Sequence, residues 1–421
     1  MAKGTRKMAA AVDISRLQGE IDALAQITEA EPPAVTRILY SEKDLAGRAM
    51  VKALCAEAGL ELREDAVGNL FARWTGREPS LPAVATGSHI DAIPHAGRFD
   101  GVVGVLGGLE AIRALQRSGF KPRRSIELIV FTSEEPTRFG IGCLGSRMMS
   151  GSLDWESALA LADQNGQTLA TWLAESPYAA MDRSTVRLAD RAYAAFVELH
   201  IEQGPFLERG ADDIGAVTHI AAPAAYRLEI EGQGGHAGAV LMPDRHDAMC
   251  GAAEFILALE SAAKHSGSPD TVATTGVVHV KPGAINSIPN HVGMEIDVRD
   301  IQLHTRAAVW QSAVDALAEI AGRRGLHTTL ETINQDPPAT CDPHLVGAIE
   351  TAAAGRGFSC RRMISRAYHD SLFMARIAPS AMIFIPCRNG WSHRPDEYSS
   401  PEQIEKGAAV LADVLASASA E

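Results

Sequence analysis

Ala83-Val-Ala-Thr-Gly-Ser-His-Ile-Asp91, Phe99-Asp-Gly-Val-Val-Gly104 and Ile126-Glu-Leu-Ile-Val-Phe-Thr132 are the stretches that decide the fold. The first and last contain apolar runs of strand length, Val84 to Thr86 and Ile126 to Thr132. Between them Gly101 to Ser118 has a helical pattern, with Asp100 read as its N-cap and Gly119 as its terminator. Strands alternating with helices point to an α/β fold built on a largely parallel sheet.

Outward from this unit the same alternation holds, with a helical pattern over Asp44 to Gly59 and a short strand over Phe196 to Leu199. It changes after Gly215. Tyr226 to Ile230 alternates as a strand, Asp244 to His265 is helical, and Thr271 to Val280 and Val292 to Arg299 are strands. Leu303 to Arg324 is then a helix and His327 to Ile333 a strand, which completes β-α-β-β-α-β, the ferredoxin-like order. Asn334 to Pro338 reads as a linker. The α/β pattern then returns with a helix over His344 to Arg356 and the apolar strand Ala381 to Ile385. The expected organisation is an α/β domain with a mixed, largely parallel sheet over 1–214 and 335–421, interrupted by an α+β domain over 215–334.

A chain of 421 residues exceeds one comfortable core, which agrees with that division. The net charge of −13 argues against a phosphate-binding surface, so no nucleic-acid partner is expected. The basic stretch Met1 to Val12 lacks an apolar segment of signal-peptide type. No run approaches the ~18 apolar residues of a membrane span. The six cysteines have neither paired nor metal-type spacing, and most read as small buried apolar residues of a reducing compartment. The cytoplasm is the expected location.

The chemistry lies after the strands. His89 follows the Val84 run, Glu135 the Ile126 run and His200 the Phe196 run, while His393 lies beyond Ile385. In an open α/β sheet ligands bind outside the carboxyl ends of the strands, so parallel neighbours would bring all four to one rim. Asp100, at the mouth of the helix after His89, adds a carboxylate able to bridge two ions. Imidazole and carboxylate without thiolate suit Zn²⁺ or Mn²⁺, and three His with two carboxylates can hold two divalent ions ~3.5–4 Å apart. Glu134 beside Glu135 is then available as a base, and Asp91 as the acceptor for the second imidazole N–H of His89.

Each residue alone has a plainer reading. A His after a strand is often a surface or hydrogen-bonded histidine, Asp100 can be only a helix cap, and Glu134–Glu135 can be solvated loop charges. The recurrence of similar contexts after successive strands is what favours a metal site. The Gly232-Gln-Gly-Gly-His-Ala237 segment superficially matches a dinucleotide fingerprint, but it does not open a helix and lies in the ferredoxin-like part. Gly101, Gly104, Gly107 and Gly108 read as close helix-to-sheet packing, and there is neither a Walker sequence nor a Gly-x-Ser-x-Gly elbow.

On these residues the chain resembles the amidase and carbamoylase branch of the dinuclear-metal M20 peptidase family. The matching pieces are Gly87-Ser-His-Ile-Asp91, Phe99-Asp-Gly-Val-Val-Gly104, Thr132-Ser-Glu-Glu-Pro136, Glu198-Leu-His-Ile-Glu-Gln-Gly204 and Ser392-His-Arg-Pro-Asp-Glu397. Gly234-Gly-His-Ala-Gly238, Asn286-Ser-Ile-Pro289 and Asp297-Val-Arg-Asp300 join them from the inserted domain. Exopeptidases of the superfamily usually carry Asp-Asp where this chain has Asp100-Gly101, which favours the carbamoylase-type branch. The resemblance implies His89, Asp100 and His200 at one metal site and Asp100, Glu135 and His393 at the other, with Glu134 as general base. It further implies Gln203, His236, Asn286 and Arg299 at substrate-binding positions, with His236 also catalytic. The inserted domain becomes a lid that makes a homodimer, its His commonly reaching the partner's active site.

Ser365-Arg-Ala-Tyr-His-Asp-Ser-Leu-Phe-Met-Ala-Arg-Ile-Ala-Pro379 and Met382-Ile-Phe-Ile-Pro-Cys387 resemble most the ureidoglycolate-cleaving members. Tyr368-His369-Asp370 stands where carbamoylases and allantoate amidohydrolases usually have Gly-His-Asp, and it adds Tyr368 and His369 to the substrate-binding set. A small ureido compound bearing a carboxylate is therefore the expected substrate, with Arg299 as carboxylate clamp; its plainer reading is an ion pair with Asp297 or Asp300. N-carbamoyl-L-amino acids and allantoate are the rival substrates. A non-catalytic scaffold of the same fold would carry a broken ligand set or lack the base, and neither is seen.

Overall fold

The computed structural model describes residues 10–421, so residues 1–9 of the basic Met1 to Val12 stretch lie outside the described residues. The chain forms two compact units. One runs to Thr218 and resumes over Thr340–Ser365 and His369–Glu421, and the other comprises His219–Ala339 with Arg366–Tyr368. The sequence boundaries at 215 and 334 fall a few residues before these.

The first unit is built on a nine-stranded sheet. Its centre is four parallel strands, β1 (Ala83–His89), β2 (Ile126–Phe131), β3 (Tyr193–Ile201) and β4 (Ser380–Ile385), in the spatial order β4-β3-β1-β2. Leu70–Trp74 and then Glu61–Glu64 extend it antiparallel beyond β2, and Ile214–Ile220 pairs antiparallel with β4. The sheet is therefore mixed, with its parallel pairing confined to the centre. Every residue of β1, β2 and β4 is buried, the signature of strands covered on both faces. Helix α1 (Val102–Arg117) and the helix Pro401–Ala420 pack on each other and against β1 and β3. Gly104 allows that approach, because a Cβ there would lie 2.3 Å from the Leu199 carbonyl oxygen.

Some local expectations change. Asp100 does not cap α1; Gly101 is the N-cap residue, at φ 66°, and no side chain caps the helix. The Asp100 carboxylate is therefore left for the site. The helix expected from Asp44 begins at Glu42 because Ser41 caps it by accepting from Asp44 N, and buried Asp44 then pairs with Arg48. The helix expected from Asp244 begins only at Ala248, after a 3₁₀ turn over Met242–Asp244 and capping by Asp247. The expected Asn334–Pro338 linker is partly strand, since His327–Gln335 keeps pairing with Ala222–Glu231 across a bulge.

The second unit holds a four-stranded antiparallel sheet in the order Val272–Lys281, His291–Asp300, Ala222–Glu231, His327–Gln335. That is the spatial order of a ferredoxin-like fold. Tyr226, Leu228, Ile230, Met294, Ile296 and Val298 alternate onto one face and form a core with residues of Ala248–Lys264 and Leu303–Arg324. The intervening residues, Arg227, Glu229, Glu295, Asp297 and Arg299 among them, occupy the other face.

Candidate metal centre

The rim of the first unit collects the residues that follow its parallel strands. His89 ends β1 and His200 is the penultimate residue of β3; Glu135 and His393 lie in the loops after β2 and β4. Their donors converge on Asp100. Its Oδ1 is 3.6 Å from His89 Nε2 and 3.1 Å from His200 Nε2, and its Oδ2 is 3.3 Å from His393 Nε2. Glu135 Oε1 lies 3.4 Å from the same His393 nitrogen. Donor atoms of the group His89, Asp100 and His200, and of the group Asp100, Glu135 and His393, lie within 4.8 Å of one another. Asp100 is common to both groups and presents a different oxygen to each.

These separations fit divalent cations. Two donors ~2.1 Å from one ion at a tetrahedral angle are about 3.4 Å apart. The tautomers fit as well. His89 Nδ1–H is 3.1 Å from the Asp91 carbonyl and His200 Nδ1–H 2.9 Å from the Ile201 carbonyl, which leaves both Nε2 atoms as acceptors. Asp91 thus meets His89 Nδ1 through its carbonyl, with its carboxylate Oδ1 3.6 Å from the same nitrogen. That carboxylate accepts the backbone N–H groups of Glu134 and Glu135 and so fixes the loop that carries both acids.

Electrostatics give the same picture of crowded charge. Burial opposes ionisation of Asp100, but the three imidazoles outweigh it and hold the carboxyl well below the usual range. Burial, with Asp100 close by, pushes Glu135 up to about 7. Burial also raises Glu134 well above an ordinary Glu. His89 is raised despite its burial, chiefly by the Glu134 carboxylate. A cation among these oxygens would relieve the repulsion between them.

Glu134 Oε2 is 3.7 Å from His89 Nε2, and the Cys143 thiol lies 3.6 Å from its Oε1. Gln203, expected at the substrate, is placed against the centre: its Nε2 donates to Asp100 Oδ2 at 2.7 Å and to Ser392 Oγ at 3.1 Å. His369 is buried, with Nε2 3.1 Å from Ser365 Oγ and its ring 4.5 Å from that of His200. In the second unit His236 and Asn286 are both exposed. His236 pairs with Ser287 in a two-residue ladder, and Ala237 N donates to the Asn286 carbonyl. Gly238 N–H donates to His236 Nδ1 at 3.1 Å, so Nε2 carries the proton of the neutral ring.

Arg299 makes the ion pair that the sequence left open. Its Nε and Nη2 meet the two Asp297 oxygens at 2.8 and 3.1 Å, and Nη1 lies 3.3 Å from the Arg366 carbonyl. Asp297 takes the Nε/Nη2 edge of the guanidinium, and Nη1 is turned to the Arg366 carbonyl. The Tyr368 ring centre is 6.0 Å from the Arg299 Cζ.

Two residues without a role in the sequence reading also lie here. Ser392 Oγ lies 2.7 Å from Asp100 Oδ2, and Glu397 lies behind both. The available signal was their place on either side of His393 in the Ser392–Glu397 motif.

The model of peptidase family M20/M25/M40 matches residues 85–417 of this chain. The chain is 54% identical to the ureidoglycolate hydrolase of Arabidopsis thaliana over 411 residues, covering 96% of this chain and 86% of the relative. It is 36% identical to an N-carbamoyl-L-amino acid amidohydrolase of Geobacillus stearothermophilus, covering 94% of this chain and 96% of that one. The crystal structure of AtUAH in complex with glyoxylate superposes with a TM-score of 0.89 at 52% identity, covering 98% of this chain and 99% of that one.

Proposed function

This chain belongs to the M20/M25/M40 peptidase family, and on that premise we propose that it is a metal-dependent amidohydrolase acting on ureidoglycolate. The reaction cleaves the carbamoyl C–N bond and releases ammonia and carbon dioxide, leaving hydroxyglycine to decay to glyoxylate. The observation that carries this reading is Asp100, whose two oxygens each face a separate set of donors. Kinship to a ureidoglycolate hydrolase, close along almost the whole chain, supports the substrate.

His89, Asp100 and His200 would hold one divalent ion and Asp100, Glu135 and His393 the other, each Zn²⁺ or Mn²⁺ by its donor chemistry. What such a pair supplies when bound is Lewis acidity toward the carbamoyl carbonyl and a lowered pKa for the attacking water. Glu134 takes the proton of that water and hands it to the leaving nitrogen. Arg299, pre-oriented by Asp297, receives the substrate carboxylate. His236, with its proton on Nε2, and Asn286 donate to the oxygen on which charge develops. Gln203 orients Asp100, and Tyr368 beside Arg299 walls the region around the α-carbon. His369 backs the His200 ring.

The inserted unit makes a homodimer in this reading, with His236 acting on the substrate of the partner. A cytoplasmic location is supported by six free cysteines, and no helix among the described residues is long and apolar enough to cross a membrane. The test is ammonia release from ureidoglycolate by purified protein. Chelation should abolish it and added Mn²⁺ or Zn²⁺ restore it; full activity in thoroughly demetallated protein contradicts the proposal.

A further inference from the structure

Glu397 is 4% exposed, and among the described residues no Lys or Arg forms a salt bridge with it. Its Oε1 instead accepts the backbone N–H groups of Phe99 at 2.9 Å and Asp100 at 3.1 Å, while its Oε2 lies 2.9 Å from the Ser392 hydroxyl. That hydroxyl also reaches Asp100 Oδ2. One buried carboxylate thus joins two chain segments that each deliver a donor to the centre, the Phe99–Asp100 turn and the Ser392–His393 loop. Room is made for it at Gly97, where a Cβ would lie 2.4 Å from Glu397 Oε1 and 2.5 Å from its Cβ.

The loop it braces carries the least supported ligand. The His393 side chain is 48% exposed, whereas those of His89 and His200 are 1% and 0% exposed. His393 also has a left-handed backbone, at φ 59°. A half-exposed ring is held less by its surroundings than those of His89 and His200 and more by its backbone, which is tied to the rest of the rim through Ser392.

We propose that Glu397 is the positioning residue of the centre, fixing Asp100 and the His393 loop together and so setting how tightly the ion held by Asp100, Glu135 and His393 is retained. This rests on the metal-centre reading above. Partners behind a ligand commonly change metal affinity by ~10–100-fold when removed.

The test titrates demetallated protein with Mn²⁺ and counts free ion by electron paramagnetic resonance. Wild-type protein should take up two ions. Glu397→Ala should keep one at wild-type affinity and bind the other roughly 10–100-fold more weakly. Glu397→Gln keeps an oxygen for Phe99 and Asp100 and an amide for Ser392, so it should recover most of that affinity, which a merely space-filling role would not distinguish by charge or acceptor. Gly97→Ala leaves the carboxylate in the chain but displaces it, and should behave like Glu397→Ala even if that variant folds poorly. Two ions at wild-type affinity in both Glu397→Ala and Gly97→Ala overturn the proposal, as does a Gln variant no better than Ala. Wild-type protein that takes up no Mn²⁺ sinks the metal-centre reading itself, an outcome distinct from a failure of Glu397 alone.

Discussion

Replacing Gly101 by Ala should damage the centre far more than it damages the fold. A Cβ at this position would lie 2.5 Å from both Cδ2 and Nε2 of His89 and 2.6 Å from its Cε1. Carbon contacts relax to ~3.5 Å, so the ring must move by about 1 Å. A metal–ligand distance tolerates only ~0.2 Å. The backbone adds its own cost, because Gly101 sits at φ 66° and ψ −43°, a conformation that a residue with a Cβ rarely adopts. Gly119→Ala is the control for a positive φ without a contact: it has φ 76° and nothing within 4 Å, so it incurs a backbone cost alone. Both variants should lose stability to urea, while only Gly101→Ala should lose Mn²⁺ affinity, by at least ~10-fold. Equal Mn²⁺ uptake by the two variants would refute the argument that the Asp100-Gly101 pair exists to seat His89.

Glu134→Gln should lower turnover by ~10²–10⁴-fold while metal content stays at the wild-type level; metal loss would mean that Glu134 and Glu135 have exchanged roles. Mixing inactive His236→Ala protein with inactive Glu134→Gln protein should regenerate activity in mixed dimers, and subunit exchange without recovery excludes action in trans. In the fully buried Arg48–Asp44 pair, Arg48→Met strands a carboxylate and should cost roughly 3–5 kcal/mol in a denaturant titration. Burial already raises the Asp44 pKa, so the native state holds that proton more tightly than the unfolded chain. The deficit of the Met variant should therefore shrink as pH falls from neutral toward ~4 and grow as pH rises through the raised pKa; a deficit that deepens on mild acidification contradicts this.

The parts of the molecule legible in sequence are those whose cause is local. Strands β1 to β4 and the second unit announce themselves by apolar period and turn residues, and His89 and His200 by their place at strand ends. What the sequence hid depends on distant chain. Asp100 looks like a cap because Asp before an apolar helix usually is one; that Gly101 takes the cap position follows from the His89 ring packed against it. Gln203 carries no mark that its amide turns to Asp100, 103 residues away. Glu397 acquires its meaning from N–H groups 297 and 298 residues upstream. The sequence favours Arg299 as a clamp over an ion pair, and the structure pairs it with Asp297 and turns its Nη1 to the Arg366 carbonyl.

The reaction turns on a substrate whose α-carbon bears a hydroxyl, and N-carbamoylglycine differs from ureidoglycolate only by lacking it. A site built to pair a hydroxyl rejects the analogue without it by ~10⁴-fold. The decisive measurement is kcat/KM of one metal-loaded preparation on ureidoglycolate, N-carbamoylglycine, N-carbamoyl-L-methionine and allantoate. The expected result is a preference for ureidoglycolate of about 10⁴ over N-carbamoylglycine, with allantoate and the methionine derivative also far behind. Equal or faster turnover of N-carbamoyl-L-methionine or allantoate would contradict the assignment and leave only the reaction class.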